Sequence, residues 1–355
     1  MATNPAYAAA LAELARAGRI VLTTHVKPDG DGLGCIAALR RWLVGRGKTI
    51  EVVLPTVPPP KYAFLDPDGT FRVAGRDLRV EAIAPPDLVA VLDTGTWQQL
   101  AVMKPLVADS GARVLVIDHH LTQDDGVADV LLVDGDAAAC ASILYRLLVE
   151  GGATLTADMA GALYAGLATD TSWFSLPNTD AETLRLAATL LEAGARPHAL
   201  YEHLYLSEEL SKTRLRGLAV EGMRPALGGR VMVMRLSARM FTEAEASPSD
   251  TEDLINECMR IRGVRVGVLL VEAERRQVRV SLRARLGLDI LRVARRFGGG
   301  GHIRAAGFRL DGTLDEAEAM VLEAVRPVLA AAGEEAGNHS RNHFPRRGPR
   351  GAAQK

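Results

Sequence analysis

The sequence predicts an α/β protein of two domains: a mainly parallel sheet flanked by helices, then a helical connector, then a smaller α/β domain. Three observations carry this reading. The chain has 355 residues, enough for two domains at the usual ~100–200 residues each. Its N-terminal half repeats short Val/Ile/Leu runs without polar alternation, the pattern of strands buried on both faces of a parallel sheet. Segments with helical potential separate those runs.

The elements follow in order. Residues 1–20 hold Ala and Leu without a basic start, which reads as an amphipathic helix rather than a signal peptide. A strand over 20–25 (IVLTTH) leads into the turn Lys27-Pro28-Asp29-Gly30 and a helix from about Leu33 to Gly45. Further strands are predicted at 49–55, 87–94 and 113–120, each an aliphatic run ending in polar residues. Helical patterns dominate from about 138 to 220, with Leu163, Leu167, Leu184, Leu186 and Leu190 in the apolar stripe. The charged end of that region joins the domains. Strands then return at 231–237, 264–273 and 277–284, with a helix near 250–261. A short helix over 289–297 runs into Gly298-Gly299-Gly300-Gly301-His302. A strand at 306–310 and a helix to about Ala332 close the second domain. The boundaries expected are 1–195, a connector over 196–226, a second domain over 227–332, and a tail over 333–355. From Ala336 onward there are five Lys or Arg and no Asp or Glu, so the tail is expected to be disordered and basic.

Composition narrows the function classes. Hydrophobic residues are 48% and charged residues 24%, which excludes bulk disorder. Aromatics are only 5%, so an aromatic base-stacking sheet is not expected. The net charge of −1 leaves no chain-wide polyanion surface, and a phosphate ligand needs a local site. The three cysteines, Cys35, Cys140 and Cys258, form no CxxC pair, which points to a reducing cytosol and no thiolate zinc site. No run of 18 apolar residues is present, so no spanning helix is expected.

The candidate chemistry lies at the ends of the predicted elements. His25, Asp29 and Asp31 crowd the glycine-rich turn after the first strand. Asp93 ends the strand at 87–94, Asp118-His119-His120 ends the next, and Asp170 follows the apolar segment ending at Leu167. Each has an ordinary structural alternative, such as an N-cap or a satisfied core histidine. Together, on one side of a parallel sheet where ligands bind, they read as a site. Four Asp and two His without a thiolate suit Mn²⁺, with Mg²⁺, Co²⁺ or Fe²⁺ as alternatives. Six such side chains suit two ions sharing a carboxylate. A pair of that kind activates water and clamps an in-line displacement at phosphorus.

These residues also carry a likeness. HVKPDGDGLGC, VLDTG, VIDHH and ATDTSWF, in this order, resemble motifs I to IV of the DHH phosphoesterases, and SLRA followed by FGGGGHIRAAGF resembles the DHHA1 domain. The likeness covers about Leu11 to Leu329. The spacing is most similar to the stand-alone bacterial nanoRNase/pAp phosphatase branch. RecJ-type exonucleases are longer, and family II pyrophosphatases lack the GGGH run.

The resemblance implies a DHH domain, a helical connector and a DHHA1 domain. It implies His25, Asp29 and Asp93 on one ion, and Asp31, Asp93, His119 and Asp170 on the second, with Asp93 bridging. His120 would face the phosphate, and Asp118 would orient a histidine so that its nitrogen stays aimed at the metal. Arg283 and His302, with the glycines at 299, 300 and 301, would hold substrate phosphate or nucleotide. The implied protein is a cytoplasmic hydrolase of 2–5-nucleotide RNA and of adenosine 3′,5′-bisphosphate. The substrate would lie between the domains. No membrane and no duplex DNA would be partners, and a homodimer is compatible. A cyclic or linear dinucleotide phosphodiesterase and a catalytically silent nucleotide binder are the rival readings. Cys35, Gln123, Ser172 and Ser175 depart from the usual pattern without removing a ligand. Trp173 and Phe174 read equally as core or as base-stacking groups.

Overall fold

The computed structural model describes residues 5–251, 253–273 and 276–339. The chain divides into two compact units at Ser207/Glu208.

The first unit opens with helix α1 (Pro5–Arg16) and strand β1 (Arg19–Thr23). Helix α2 (Gly30–Val44), β2 (Thr49–Leu54), β3 (Phe71–Val73) and β4 (Leu88–Leu92) follow. The short helices α3 (Trp97–Leu100) and α4 (Lys104–Asp109) lead to β5 (Arg113–Asp118) and β6 (Val130–Val133). Helices α5 (Cys140–Glu150), α6 (Ala157–Asp170), α7 (Ala181–Glu192) and α8 (Pro197–Tyr205) complete the unit. The six strands form one sheet in the order β3-β2-β1-β4-β5-β6, every pair parallel. The strands are apolar throughout because both faces are covered. Ile20 and Leu22 of β1 face the core built with α1, α2, α5 and α6, whereas Val21 faces the core that holds Leu106 and Val107 of α4. The order reverses at β1 and β4, and the crevice beyond the carboxyl ends of such neighbouring strands is where ligands bind in doubly wound sheets.

The second unit holds α9 (Leu210–Glu221), β7 (Arg224–Ala226), β8 (Val231–Leu236), α10 (Ala238–Ala244), α11 (Ile255–Met259), β9 (Val266–Ala273) and β10 (Gln277–Ala284). After these come α12 (Leu291–Arg296), β11 (Gly300–His302), β12 (Ala305–Asp311) and α13 (Leu314–His339). Its sheet runs β11-β12-β10-β9-β8-β7, antiparallel except for β8–β9. Val278, Val280 and Leu282 of β10 face the core shared with α12 and α13. Leu269 and Val271 of β9 face the opposite way, toward a second core with α9, α10 and α11.

Several expectations are corrected. Four strands escaped the sequence reading, β3, β6, β7 and β11, and all four are sheet edges of three or four residues. The helix expected over 250–261 is a 3₁₀ turn (Pro248–Thr251) and the short α11. Within 197–221, α8 joins the first core through Leu200 and Leu204, and α9 joins the second unit through Leu215 and Ala219. The last helix runs to His339, past the expected end near Ala332. The rest of the expected disordered tail, 340–355, lies outside the described residues. No helix among the described residues is long and apolar enough to cross a membrane.

Candidate active site

The backbone brings all six predicted acidic and imidazole ligands to the carboxyl ends of the first sheet. His25 follows β1. Asp29 is the N-cap of α2, its carboxylate accepting from the amides of Asp31 (3.0 Å) and Gly32 (3.2 Å). Asp31 sits in the first turn of α2, fully buried. Asp93 follows β4 with φ 64°, left-handed backbone that an aspartate tolerates better than most residues. Its amide donates to the carbonyl of Ile117 (2.8 Å), which ties the end of β4 to β5. His119 and His120 follow β5, and Asp170 is the last residue of α6.

Close helix packing sets the distance between Asp31 and Asp170. A Cβ at Gly34 would stand 2.3 Å from the carbonyl oxygen of Ala162, and one at Gly166 would stand 2.7 Å from Asp31 Oδ1. Only glycine lets α2 lie this close to α6. Asp31 is held from a third helix: its oxygens accept the amides of Cys140 (2.6 Å) and Ala141 (2.9 Å) at the N-terminus of α5, where the helix dipole favours an anion. Sequence reasoning missed these partners, which lie more than a hundred residues away and supply only backbone groups.

Among the described residues, three groupings have ligand atoms within 4.8 Å of one another: His25, Asp29 and Asp93; Asp31, His119 and Asp170; and Asp93, His119 and His120. His25 Nε2 lies 3.6 Å from Asp29 Oδ1 and 3.4 Å from Asp93 Oδ2. His119 Nε2 lies 3.5 Å from Asp93 Oδ1 and 3.3 Å from Asp170 Oδ2. Such spacings are long for hydrogen bonds. They match neighbouring ligands around one small cation, which stand about 3.0–3.5 Å apart at bond lengths of about 2.1 Å. Among the described residues, Asp93 Oδ1 and His119 Nε2 are buried without a hydrogen-bond partner. Buried polar atoms are rarely orphaned, and a divalent cation is the partner this donor set fits.

The electrostatics agree. Burial and the neighbouring Asp29 push the Asp31 carboxyl up to about 7. Burial and Asp31 do the same to Asp170. Burial, followed by Asp31, drives Asp93 well above the carboxylate range. At His25 burial opposes the charged form, but Asp29 and Asp93 outweigh it and raise the imidazole to about 11. The cluster carries more negative charge than its own imidazoles can neutralise.

Asp118 has a different partner from the one expected. The resemblance implies that it aims an imidazole nitrogen at a metal, yet its Oδ1 accepts from His120 Nδ1 (2.8 Å) and from the His120 amide (3.1 Å). The His119 Nδ1 instead meets the carbonyl of Ala137 (3.3 Å). The turn after β5 folds the second histidine, not the first, back onto the carboxylate. Gln123 closes the arrangement, its Nε2 donating to Asp118 Oδ2 (2.7 Å) and to the His120 carbonyl (2.8 Å). No sequence pattern gives Gln123 these partners; its departure from the usual residue is the one signal at the position. The hydrogen bond that His120 donates to Asp118 raises its imidazole.

Trp173 and Phe174 pack partly buried against the main core, edge-on to Tyr164. Trp173 also meets Tyr201 and Tyr205 edge-on. Ser172, Trp173 and Phe174 all have positive φ, so the serine occupies backbone that favours glycine.

In the second unit, Arg283 of β10 and His302 of β11 both pair with Ala305 of β12, from opposite sides. They therefore share one sheet face. The end of the glycine run, Gly300 and Gly301, belongs to an edge strand. A Cβ at Gly299 would stand 2.3 Å from the Gly307 carbonyl oxygen, and one at Gly301 2.4 Å from that of Ala305, whereas at Gly300 nothing lies within 4 Å. Close backbone packing requires the first two glycines; the space above Gly300 is open to a ligand.

Residues 19–167 match the model of the DHH family, N-terminal domain, and residues 228–331 that of the DHHA1 domain. The bifunctional oligoribonuclease and PAP phosphatase NrnA of Thermus thermophilus is 33% identical over 89% of this chain and 92% of its own length. The Bacillus subtilis protein of the same name is 29% identical over 81% and 88%. A crystal structure of an exopolyphosphatase-related protein from Bacteroides fragilis has the same fold, with a TM-score of 0.87 at 24% identity over 92% of this chain and 98% of that one.

Proposed function

Since the chain belongs to the DHH family, with a DHHA1 domain as its second unit, we propose that it is a two-metal phosphoesterase acting on short RNA and nucleoside bisphosphates. It releases 5′-mononucleotides from oligoribonucleotides of two to five units and converts adenosine 3′,5′-bisphosphate to AMP. The observation that carries it is the pair of orphaned, buried atoms on Asp93 and His119, set among four further ligands at the sheet's switch point. Similarity to the NrnA proteins over most of the chain supports the choice of substrate.

His25, Asp29 and Asp93 would hold one ion, and Asp31, Asp93, His119 and Asp170 the second, with Mn²⁺ the best match to the donors. Bound there, the pair supplies Lewis acidity and an activated water for in-line displacement at phosphorus. Asp118 and Gln123 fix the His120 ring, and the hydrogen bond to Asp118 favours its protonated form. His120, about half exposed, then donates a charge-assisted hydrogen bond to a phosphoryl oxygen, which strengthens as charge develops there. In the second unit Arg283 and His302 hold a phosphate, and Gly300 leaves room for it.

The chain has no charge surplus with which to bind long RNA through many phosphates. A Mn²⁺ assay with dimer, pentamer, 20-mer, adenosine 3′,5′-bisphosphate and a cyclic dinucleotide tests the assignment. Dimer and pentamer should be cut about tenfold faster than the 20-mer, the bisphosphate should lose its 3′ phosphate, and the cyclic compound should lag. Equal rates on dimer and 20-mer, or a dominant cyclic substrate, would contradict the reading.

A further inference from the structure

The second unit carries a cationic pair that the site above does not use. On the face of β10 opposite its core, Arg279, Ser281 and Arg283 alternate with the buried Val280 and Leu282. Across the strand, Arg279 pairs with Arg309, Ser281 with Gly307 and Arg283 with Ala305. Gly300 continues the middle row and His302 the row of Arg283. The open half of this sheet face is therefore a shelf. Its floor is Ser281, Gly307 and Gly300. Arg283 and His302 stand at one end and Arg279 and Arg309 at the other. Four residues of strand separate the two ends, about 13 Å.

Like charges directly opposite on adjacent strands repel. Arg279 and Arg309 are such a pair, and among the described residues neither forms a salt bridge. The Arg279 guanidinium is instead steadied by a hydrogen bond from Nη2 to Thr251 Oγ1 in the 3₁₀ turn. Burial weakens its hold on its proton, and the neighbouring Arg309 adds to this. Beyond them Asp311, which accepts from Gln277 Nε2 (3.1 Å), closes the shelf to a further anion. The arrangement sets two arginines opposite each other on adjacent strands, bounded on the far side by a carboxylate.

We propose that Arg279 and Arg309 form a second phosphate station, taking a phosphodiester group of an oligoribonucleotide beyond the phosphate held by Arg283 and His302. The inference rests on the proposed activity and adds a length preference to it. A nucleoside bisphosphate carries both phosphates on one sugar and cannot span about 13 Å of strand. An RNA of three or more units can, and Asp311 sets a limit on further gain.

The test uses the full chain, with Arg309→Ala as the main variant because Arg309 is exposed, and Arg309→Lys as the conservative one. Binding of a fluorescent triribonucleotide in chelator is titrated against salt, so the station is read without turnover. In parallel, kcat/KM with Mn²⁺ is compared for the trinucleotide and for adenosine 3′,5′-bisphosphate. Arg309→Ala should weaken trinucleotide binding, reduce its salt slope by about one, and lower the trinucleotide-to-bisphosphate ratio of kcat/KM by about tenfold. Arg309→Lys should recover part of each. An unchanged binding slope, or equal losses on both substrates, would overturn the station. A wild-type protein inert on both substrates that still bound the trinucleotide with the expected slope would overturn the proposed activity instead.

Discussion

Asp93 Oδ1 lies 3.5 Å from His119 Nε2, and among the described residues neither buried atom has a hydrogen-bond partner. Unpaired buried polar atoms cost about 1–3 kcal/mol each, and these two stand among carboxylate and imidazole atoms at the spacing of ligands around a cation. The left-handed backbone at Asp93 adds local strain. The pair makes physical sense as two ligands kept apart by the width of a cation.

The metal-free protein should show an inverted pH dependence. Asp31 and Asp170 titrate near 7 in the folded chain, against about 3.9 when unfolded. The folded state thus binds the extra protons between those values. Stability from these groups is complete below about pH 4 and is lost as pH rises through 7. Thermal melts in chelator should fall from pH 5 to pH 8. Added Mn²⁺ should restore the higher-pH melts most, because it replaces the missing protons. A chelated protein that gains stability over this range would count against the carboxylate cluster.

Asp118→Asn should leave the ligands of both proposed ions intact and still damage turnover. The amide cannot hold a cationic His120, so kcat should fall about 10–100-fold, with metal content unchanged. The alkaline limb of the pH–rate profile should move to lower pH, since the carboxylate raises the His120 imidazole. Loss of a metal in this variant would show that Asp118 supports a ligand rather than the phosphate-facing histidine.

Gly34→Ala should couple stability to metal affinity. Its Cβ would meet the Ala162 carbonyl oxygen at 2.3 Å, and backbone cannot rotate away. Separating α2 from α6 should cost about 1–3 kcal/mol and move Asp31 from Asp170. Denaturant midpoints and a Mn²⁺ titration read the two effects. A destabilised variant with unaltered Mn²⁺ affinity would separate helix packing from the site.

The sequence made the interior strands and the ligand residues visible for one reason. Doubly covered strands are uninterrupted aliphatic runs, and in a parallel sheet the polar residues at their carboxyl ends mark the ligand crevice. Edge strands such as β3 and β11 are too short to show a period, and β11 is hidden in a glycine run. The partners of Asp31 were invisible because they are amides at the start of a distant helix. Asp118 illustrates a local limit: its spacing allows either histidine, and only the folded turn selects His120. The Arg279–Arg309 pair required strand register, which no single-sequence pattern gives.

The central claim is a two-ion centre bridged by Asp93, and metal counting on purified Asp93→Asn tests it most directly. The variant should fold, and in chelator it should melt above the wild type at pH 8, because a repelling buried carboxylate has been removed. Loaded with Mn²⁺, the wild type should hold two ions per chain by native mass spectrometry, and the variant should lose both, with activity reduced more than about 100-fold. Two ions retained by a folded Asp93→Asn protein would contradict the account.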